Sequence, residues 1–148
     1  MAEAVGSLVA QQDAILVCGG LSGVMEAAAR GAKEAGGSTV GILPGTDRVP
    51  GNPYLDVVIC SGVGHARNLA VVSTGDVVIA IGGGYGTLSE IGLALKIGRP
   101  VIVLEGWRLQ RDQGTLGIVY ASTPQEAIAL ALEAFKHVSA DGSRDLSY

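Results

Sequence analysis

Charge is scarce in this chain. Only 16% of its 148 residues are Asp, Glu, Lys or Arg, against about 25% in ordinary soluble domains. Fourteen acidic residues outnumber ten basic ones, for a net charge of −4. The basic stripe that would neutralise a nucleic-acid backbone is missing, which argues against nucleic acid as a partner. Aromatic residues make up 4%. With two cysteines and two histidines, neither a disulfide framework nor a metal site is expected, and Cys18 and Cys60, each at the end of an apolar run, read as buried thiols. No apolar stretch reaches the roughly 18 residues of a membrane span. No basic segment followed by an apolar core opens the chain. The expectation is a cytoplasmic protein without a membrane partner.

Core-forming residues and glycine are abundant. Hydrophobic residues reach 48% and mean hydropathy is +0.41, so global disorder is excluded. The 23 glycines are about twice the usual share. A theme repeats: a short β-branched run, a glycine turn, then an Ala/Leu-rich helical pattern. Strands are expected at 14–18, 39–43, 57–60, 76–81 and 100–104, with a weaker one at 118–121. Their continuous apolar character suits parallel strands covered on both faces. Helices are expected at 23–35, 65–73, 87–97 and 124–137. Alternation of this kind implies an α/β, doubly wound, mostly parallel sheet. One domain spans 1–138, followed by a polar tail, 139–148. Thr87 with Glu90 and Thr123 with Glu126 have capping-box spacing, and Pro124 takes the favoured first helical position.

The glycines gather where chemistry is expected. Ligands of an open parallel sheet bind at the carboxyl ends of its strands. Loops 19–23, 44–47, 62–65 and 82–87 all leave strands in that direction. A loop without Cβ atoms lets backbone N–H groups close on an anion, and the following helix adds unpaired N–H groups and a positive dipole end. One such loop would need no ligand to explain it; four point to a phosphate or nucleotide site. The dinucleotide fingerprint fails because no third glycine follows Gly84 and Gly86, and no Gly-Lys-Ser/Thr of a nucleoside triphosphatase occurs.

The run Gly82-Gly83-Gly84-Tyr85-Gly86-Thr87-Leu88-Ser89-Glu90 resembles the PGGxGTxxE motif of the LONELY GUY phosphoribohydrolases. Arg67 stands where that family places an arginine, and Leu16 to Met25 is similar to its second strand and glycine turn. The resemblance covers roughly residues 2 to 105. Within this superfamily, some of whose members were labelled lysine decarboxylases, Arg67-Asn68 and the stretch 91–103 look closer to the molybdenum-cofactor-carrier-like branch. The plant-type enzymes have lysine where this chain has Asn68, and proline where it has Gly82. The resemblance implies a Rossmann-like fold, frequent dimers, and a small phosphorylated ligand: a nucleoside 5′-monophosphate hydrolysed to base and ribose 5-phosphate, or a phosphorylated pterin carried without turnover. It implies ligand contacts from Gly20, Gly83, Gly84, Tyr85, Gly86 and Thr87. Arg67 and Glu90 would be the catalytic pair at the ribose. No cofactor or metal is required. Pyridoxal phosphate needs a Schiff-base lysine, and Lys33, Lys96 and Lys136 all fall on expected helices, which excludes decarboxylation.

Among further candidates, His65 begins a helix, Met25 reads as core, and Trp107 as a sheet-edge or dimer contact. Surplus apolar residues on helices 65–73 and 87–97 suggest a homodimer or larger homo-oligomer. Val5, Leu8 and Val9 are spaced for a helix, so the chain enters its first strand only at Ala14. Similar proteins begin one element earlier, with a strand expected at the sheet centre. Leaving it out opens a gap about 10 Å wide, twice the strand spacing. Strands 14–18 and 76–81 are therefore expected to pair directly, or the chain is an N-terminally shortened form; either way the ligand site lacks one wall.

Overall fold

In the computed structural model, which describes residues 1–141, the β-branched runs become strands and the Ala/Leu-rich segments become helices. The order is α1 (Ala2–Ala10), β1 (Leu16–Cys18), α2 (Val24–Glu34), β2 (Thr39–Leu43), β3 (Val57–Cys60), α3 (Arg67–Thr74), β4 (Val78–Gly82), α4 (Tyr85–Lys96), β5 (Val101–Gly106), β6 (Ile118–Ala121) and α5 (Pro124–Asp141). A 3-10 turn at Gly64–Ala66 leads into α3. Every strand pair is parallel. Helices α1, α2 and α5 pack on one face, and α3 and α4 on the other. This is the doubly wound α/β domain expected. No helix among the described residues is long and apolar enough to cross a membrane.

The strands form two three-stranded sheets, ordered β1-β2-β3 and β4-β5-β6. In each, chain order runs outward from an inner strand. The chain opens with a helix, as Val5, Leu8 and Val9 require, and no strand precedes β1 among the described residues. Direct pairing of the two inner strands, however, does not occur: β1 bonds only to β2, and β4 only to β5. Helix packing spans the junction in place of a strand ladder. Val5, Leu8 and Val9 of α1 join the core formed by Ile102, Leu104 and Ile128, while the other flank of α1 lies against α2. On the opposite face α3 packs on α4 and bridges the same junction.

The α1–α2 contact depends on two glycines. A methyl carbon at Gly6 would stand 1.9 Å from the Ala28 carbonyl oxygen, and one at Gly31 would stand 2.0 Å from that of Glu3. The backbones therefore touch, and the Arg30–Glu3 ion pair beside them is exposed and contributes little.

Most boundaries shift by one or two residues, and three of the shifts matter. Strand β1 starts at Leu16, because Ala14 is still bonded back to Val9 in the turn closing α1. Helix α4 starts two residues early, at Tyr85. Helix α5 continues to Asp141, so the polar tail expected at 139–148 begins as helix, and residues 142–148 lie outside those described. The start of α5 is capped as its sequence suggests: Glu126 N–H donates to Thr123 Oγ1 (3.1 Å), and the Glu126 carboxylate accepts Ser122 N–H (2.7 Å).

In a parallel strand successive N–H groups point to opposite edges. Leu16 N–H donates to Ser38 and Val78 N–H to Pro100, so Val17, Ile79 and Ile81 present theirs to the inner edges. Amide exchange should be about tenfold or more faster at Val17, Ile79 and Ile81 than at Leu16, Val78 and Ala80. Equal protection across all six would mean that the inner edges are paired in solution.

Candidate functional site

Two glycine turns and two helix starts converge at the carboxyl ends of the inner strands. After β1, the chain turns through Gly19 and Gly20. Gly20 has φ +75°, and a side chain there would collide with Leu43 and Gly41, so this residue shapes the turn. Asn52, buried in the β2–β3 connection, holds the turn from outside: its N–H donates to Gly20 O (2.9 Å) and its Nδ2 to Leu21 O (3.1 Å). The β2–β3 connection thus carries a positioning group. The loops at 44–47 and 62–65 bond mainly to each other, through Gly62 N–H to Gly45 O and Gly64 N–H to Pro44 O.

After β4, Gly82 (φ +81°) redirects the chain into Gly83 and Gly84. Gly84, in extended conformation, is the N-cap of α4 and offers no side chain to it. The first intrahelical bond runs from Leu88 N–H to Gly84 O. The N–H groups of Tyr85, Gly86 and Thr87 therefore precede the helical ladder and sit at its positive end. Open space surrounds Gly83, Gly84 and Gly86, as a cradle for an anion requires. The capping box expected between Thr87 and Glu90 does not form: with Gly84 as cap, Thr87 is the third helical residue and Glu90 the sixth. Glu90 is thereby free to face α3.

There it meets Arg67. The guanidinium is buried, with the residue only 7% exposed, and its Nη1 lies 3.8 Å from Glu90 Oε1. Its Nε has no hydrogen-bond partner. A buried donor without an acceptor costs about 1–3 kcal/mol, more when charged. The guanidinium lies across the end of β1, where a methyl carbon on Gly19 would stand 2.2 Å from Nη1 and 2.6 Å from both Nη2 and the Met25 sulfur. Met25, read from sequence as core, therefore also borders this spot. Burial raises the Glu90 pKa, and Arg67 only partly offsets this. Burial also raises the Cys18 thiol; the Gly20 backbone N–H and Arg67 pull it down, and Glu90 pushes it up.

Arg67, Glu90 and the 83–87 loop thus come together, with Tyr85 82% exposed at the rim. His65 is exposed on the 3-10 turn. Three residues tie the cradle together through bonds that spacing and periodicity do not announce. Asn68 Nδ2 donates to Ser89 Oγ (2.8 Å), which donates to Gly86 O (2.7 Å), linking α3 to the start of α4. Trp107 Nε1–H donates to Gly84 O (3.2 Å), so it braces the cradle, which the sheet-edge or dimer reading did not foresee. Its position just past the carboxyl end of β5 was the available signal.

Comparisons with known proteins bear on the family and the fold. The family model described as SLOG cluster4 matches residues 1–129. An uncharacterized protein of Archaeoglobus fulgidus is 42% identical over 134 residues, covering 86% of this chain and 81% of that protein. The solved molybdenum cofactor binding protein of Rippkaea orientalis superposes with a TM-score of 0.80 at 39% identity, covering 89% of this chain and 84% of that one. The cytokinin riboside 5′-monophosphate phosphoribohydrolase of Arabidopsis thaliana is 33% identical over 87 residues, which are 57% of this chain but only 38% of that enzyme.

The Gly19 contact is directly testable. Gly19→Ala should expel the Arg67 guanidinium from its seat and weaken phosphate-ester binding at least about tenfold, the value of one charge-assisted hydrogen bond, with the fold kept by circular dichroism. Unchanged binding by titration calorimetry would show that Arg67 does not need this seat.

Proposed function

The chain belongs to the SLOG cluster4 family, and from that premise we propose that it binds a phosphorylated heterocyclic ligand as a carrier. The phosphate rests on the N–H groups of Tyr85, Gly86 and Thr87, with Gly83 and Gly84 giving it room and Gly20 shaping the neighbouring turn. The observation that carries this reading is the buried Arg67 guanidinium, seated between Gly19 and Glu90 of α4, with no acceptor for its Nε among the described residues. A guanidinium satisfies such a donor best with a phosphate or carboxylate oxygen. The likeness to the molybdenum cofactor binding protein favours a phosphorylated pterin as cargo, in agreement with Asn68 standing where the phosphoribohydrolases have lysine.

The Arg67–Glu90 pair favours a second reading, hydrolysis of a nucleoside 5′-monophosphate. Water attacks the anomeric carbon, the bond to the base breaks, and the base leaves with its electron pair and takes up a proton. The Glu90 carboxylate would stabilise the oxocarbenium-like transition state, as carboxylates do in glycosidases. Arg67 would hold that carboxylate and the phosphate in register. The reaction yields free base and ribose 5-phosphate.

Exposed Leu69 on α3 and Ile97 at the end of α4 support a homodimer built on this face. Sedimentation should give twice the chain mass at micromolar concentration; a monomer there would remove this part of the proposal.

A panel of nucleoside monophosphates and the molybdenum cofactor, assayed for binding and for released base, separates the readings. The carrier reading expects binding without turnover, lost at least about tenfold in Arg67→Met. Base release by the wild type and not by Glu90→Gln establishes hydrolysis instead. Its rate should then rise with pH through a limb lying above the ~4.3 of an ordinary glutamate, because burial raises the Glu90 pKa. Absence of binding across the panel would overturn both.

A further inference from the structure

Tyr85 is the most exposed aromatic residue among the described residues, at 82%, and it begins the helix on which the phosphate would rest. Its ring does not stand alone. The Trp107 indole lies with its centroid 6.0 Å away and tilted by 38°, inside the range in which aromatic pairs attract. Trp107 is fixed on two sides. Its Nε1–H donates to the Gly84 carbonyl, and its ring packs on the core containing Val101 and Val103.

The backbone aims it there. Glu105 has φ +50°, and the β4–β5 register slips between Ile81 and Gly82. Gly106 then passes so close to Gly82 that a methyl carbon would stand 2.4 Å from the Gly82 carbonyl oxygen. Strand β5 therefore delivers the only tryptophan of the chain to the side of the cradle. Across the cradle, exposed Val24 lies at the start of α2, and its Cγ2 would stand 3.9 Å from a Cβ on Gly82. An anion seat is thus flanked by an anchored aromatic pair and an exposed aliphatic side chain. Six aromatic residues serve the whole chain, and two of them are placed at this rim.

We propose that the Tyr85–Trp107 pair is the platform for the ligand's ring, so that the site selects phosphate esters of planar heteroaromatic systems over those of sugars alone. This rests on the phosphate-binding reading above. A π-face offered by any base or pterin stacks with little regard to its hydrogen-bonding edges. The pair therefore recognises flatness and aromaticity and leaves the identity of the ring to other groups. Trp107 holds the Gly84 carbonyl and also supports Tyr85, so filling the platform should change the environment of the single indole.

Titration calorimetry with adenosine 5′-monophosphate and with ribose 5-phosphate tests this, and tryptophan fluorescence follows the first of these ligands. In the wild type, adenosine monophosphate should bind at least about fivefold more tightly than ribose 5-phosphate and quench the indole; a stacked base contributes that much or more. Tyr85→Ala should remove most of that preference, read as the ratio of the two affinities within each protein, while Tyr85→Phe keeps it. Tyr85 is exposed, so neither substitution threatens folding, and circular dichroism verifies this. Equal affinity for the two ligands in the wild type, or a Tyr85→Ala variant that keeps the preference, overturns the platform and leaves the phosphate site standing. Failure of the wild type to bind either ligand overturns the phosphate site and the platform with it.

Discussion

The Arg67 guanidinium can lie across the end of β1 only because residue 19 has no side chain, and most of the site follows from that. With the cation seated there, Glu90 has an opposite charge to face from α4, although burial still keeps its pKa above the usual range. The Arg67 Nε finds no acceptor among the described residues. A buried cation with an unused donor is costly in a resting fold, a cost that an anionic ligand would remove. The free N–H groups at the start of α4 attract the same charge from the other side. Asn68, Ser89 and Trp107 then keep the two halves of the cradle at a fixed distance, so that little ordering is left to the moment of binding.

The same separation shapes the whole domain. Helix α1 wedges between α2 and α5 through backbone contact at Gly6 and Gly31, and α3 packs against α4 on the far face. Both helix layers cross the line between the half-sheets, so the halves are joined by side-chain packing and not by a strand ladder. The ligand edge lies at the point where chain order reverses, where open α/β sheets bind their ligands.

Much of this was legible in the sequence. Continuous apolar runs marked the parallel strands, and glycine after each run marked the turns, because both signals are local. Arg67, Glu90 and the 83–87 loop also stood out, by resemblance and by their place on one sheet edge. Thr87 and Glu90 were misleading, since their spacing fits a capping box while the chain begins the helix at Tyr85 with Gly84 as cap. Direct pairing of the inner strands was expected from the cost of leaving their edges unpaired, and strand patterns carry no information on which helices span the junction instead. Asn52 escaped notice, and Trp107 was read only as a sheet-edge or dimer contact, for a related reason. Their roles come from long-range bonds to Gly20, Leu21 and Gly84, which neither periodicity nor spacing encodes.

On the phosphate-binding reading the Arg67 guanidinium, whose shielded Nε is unpaired among the described residues, responds when an anionic oxygen reaches the site. Nitrogen-15 NMR of arginine Nε–H groups during titration with ribose 5-phosphate addresses it most directly. The account predicts one buried Nε–H resonance, absent in Arg67→Met, that shifts and saturates with the same Kd as the ligand. Saturation of the ligand with that resonance unmoved would contradict it.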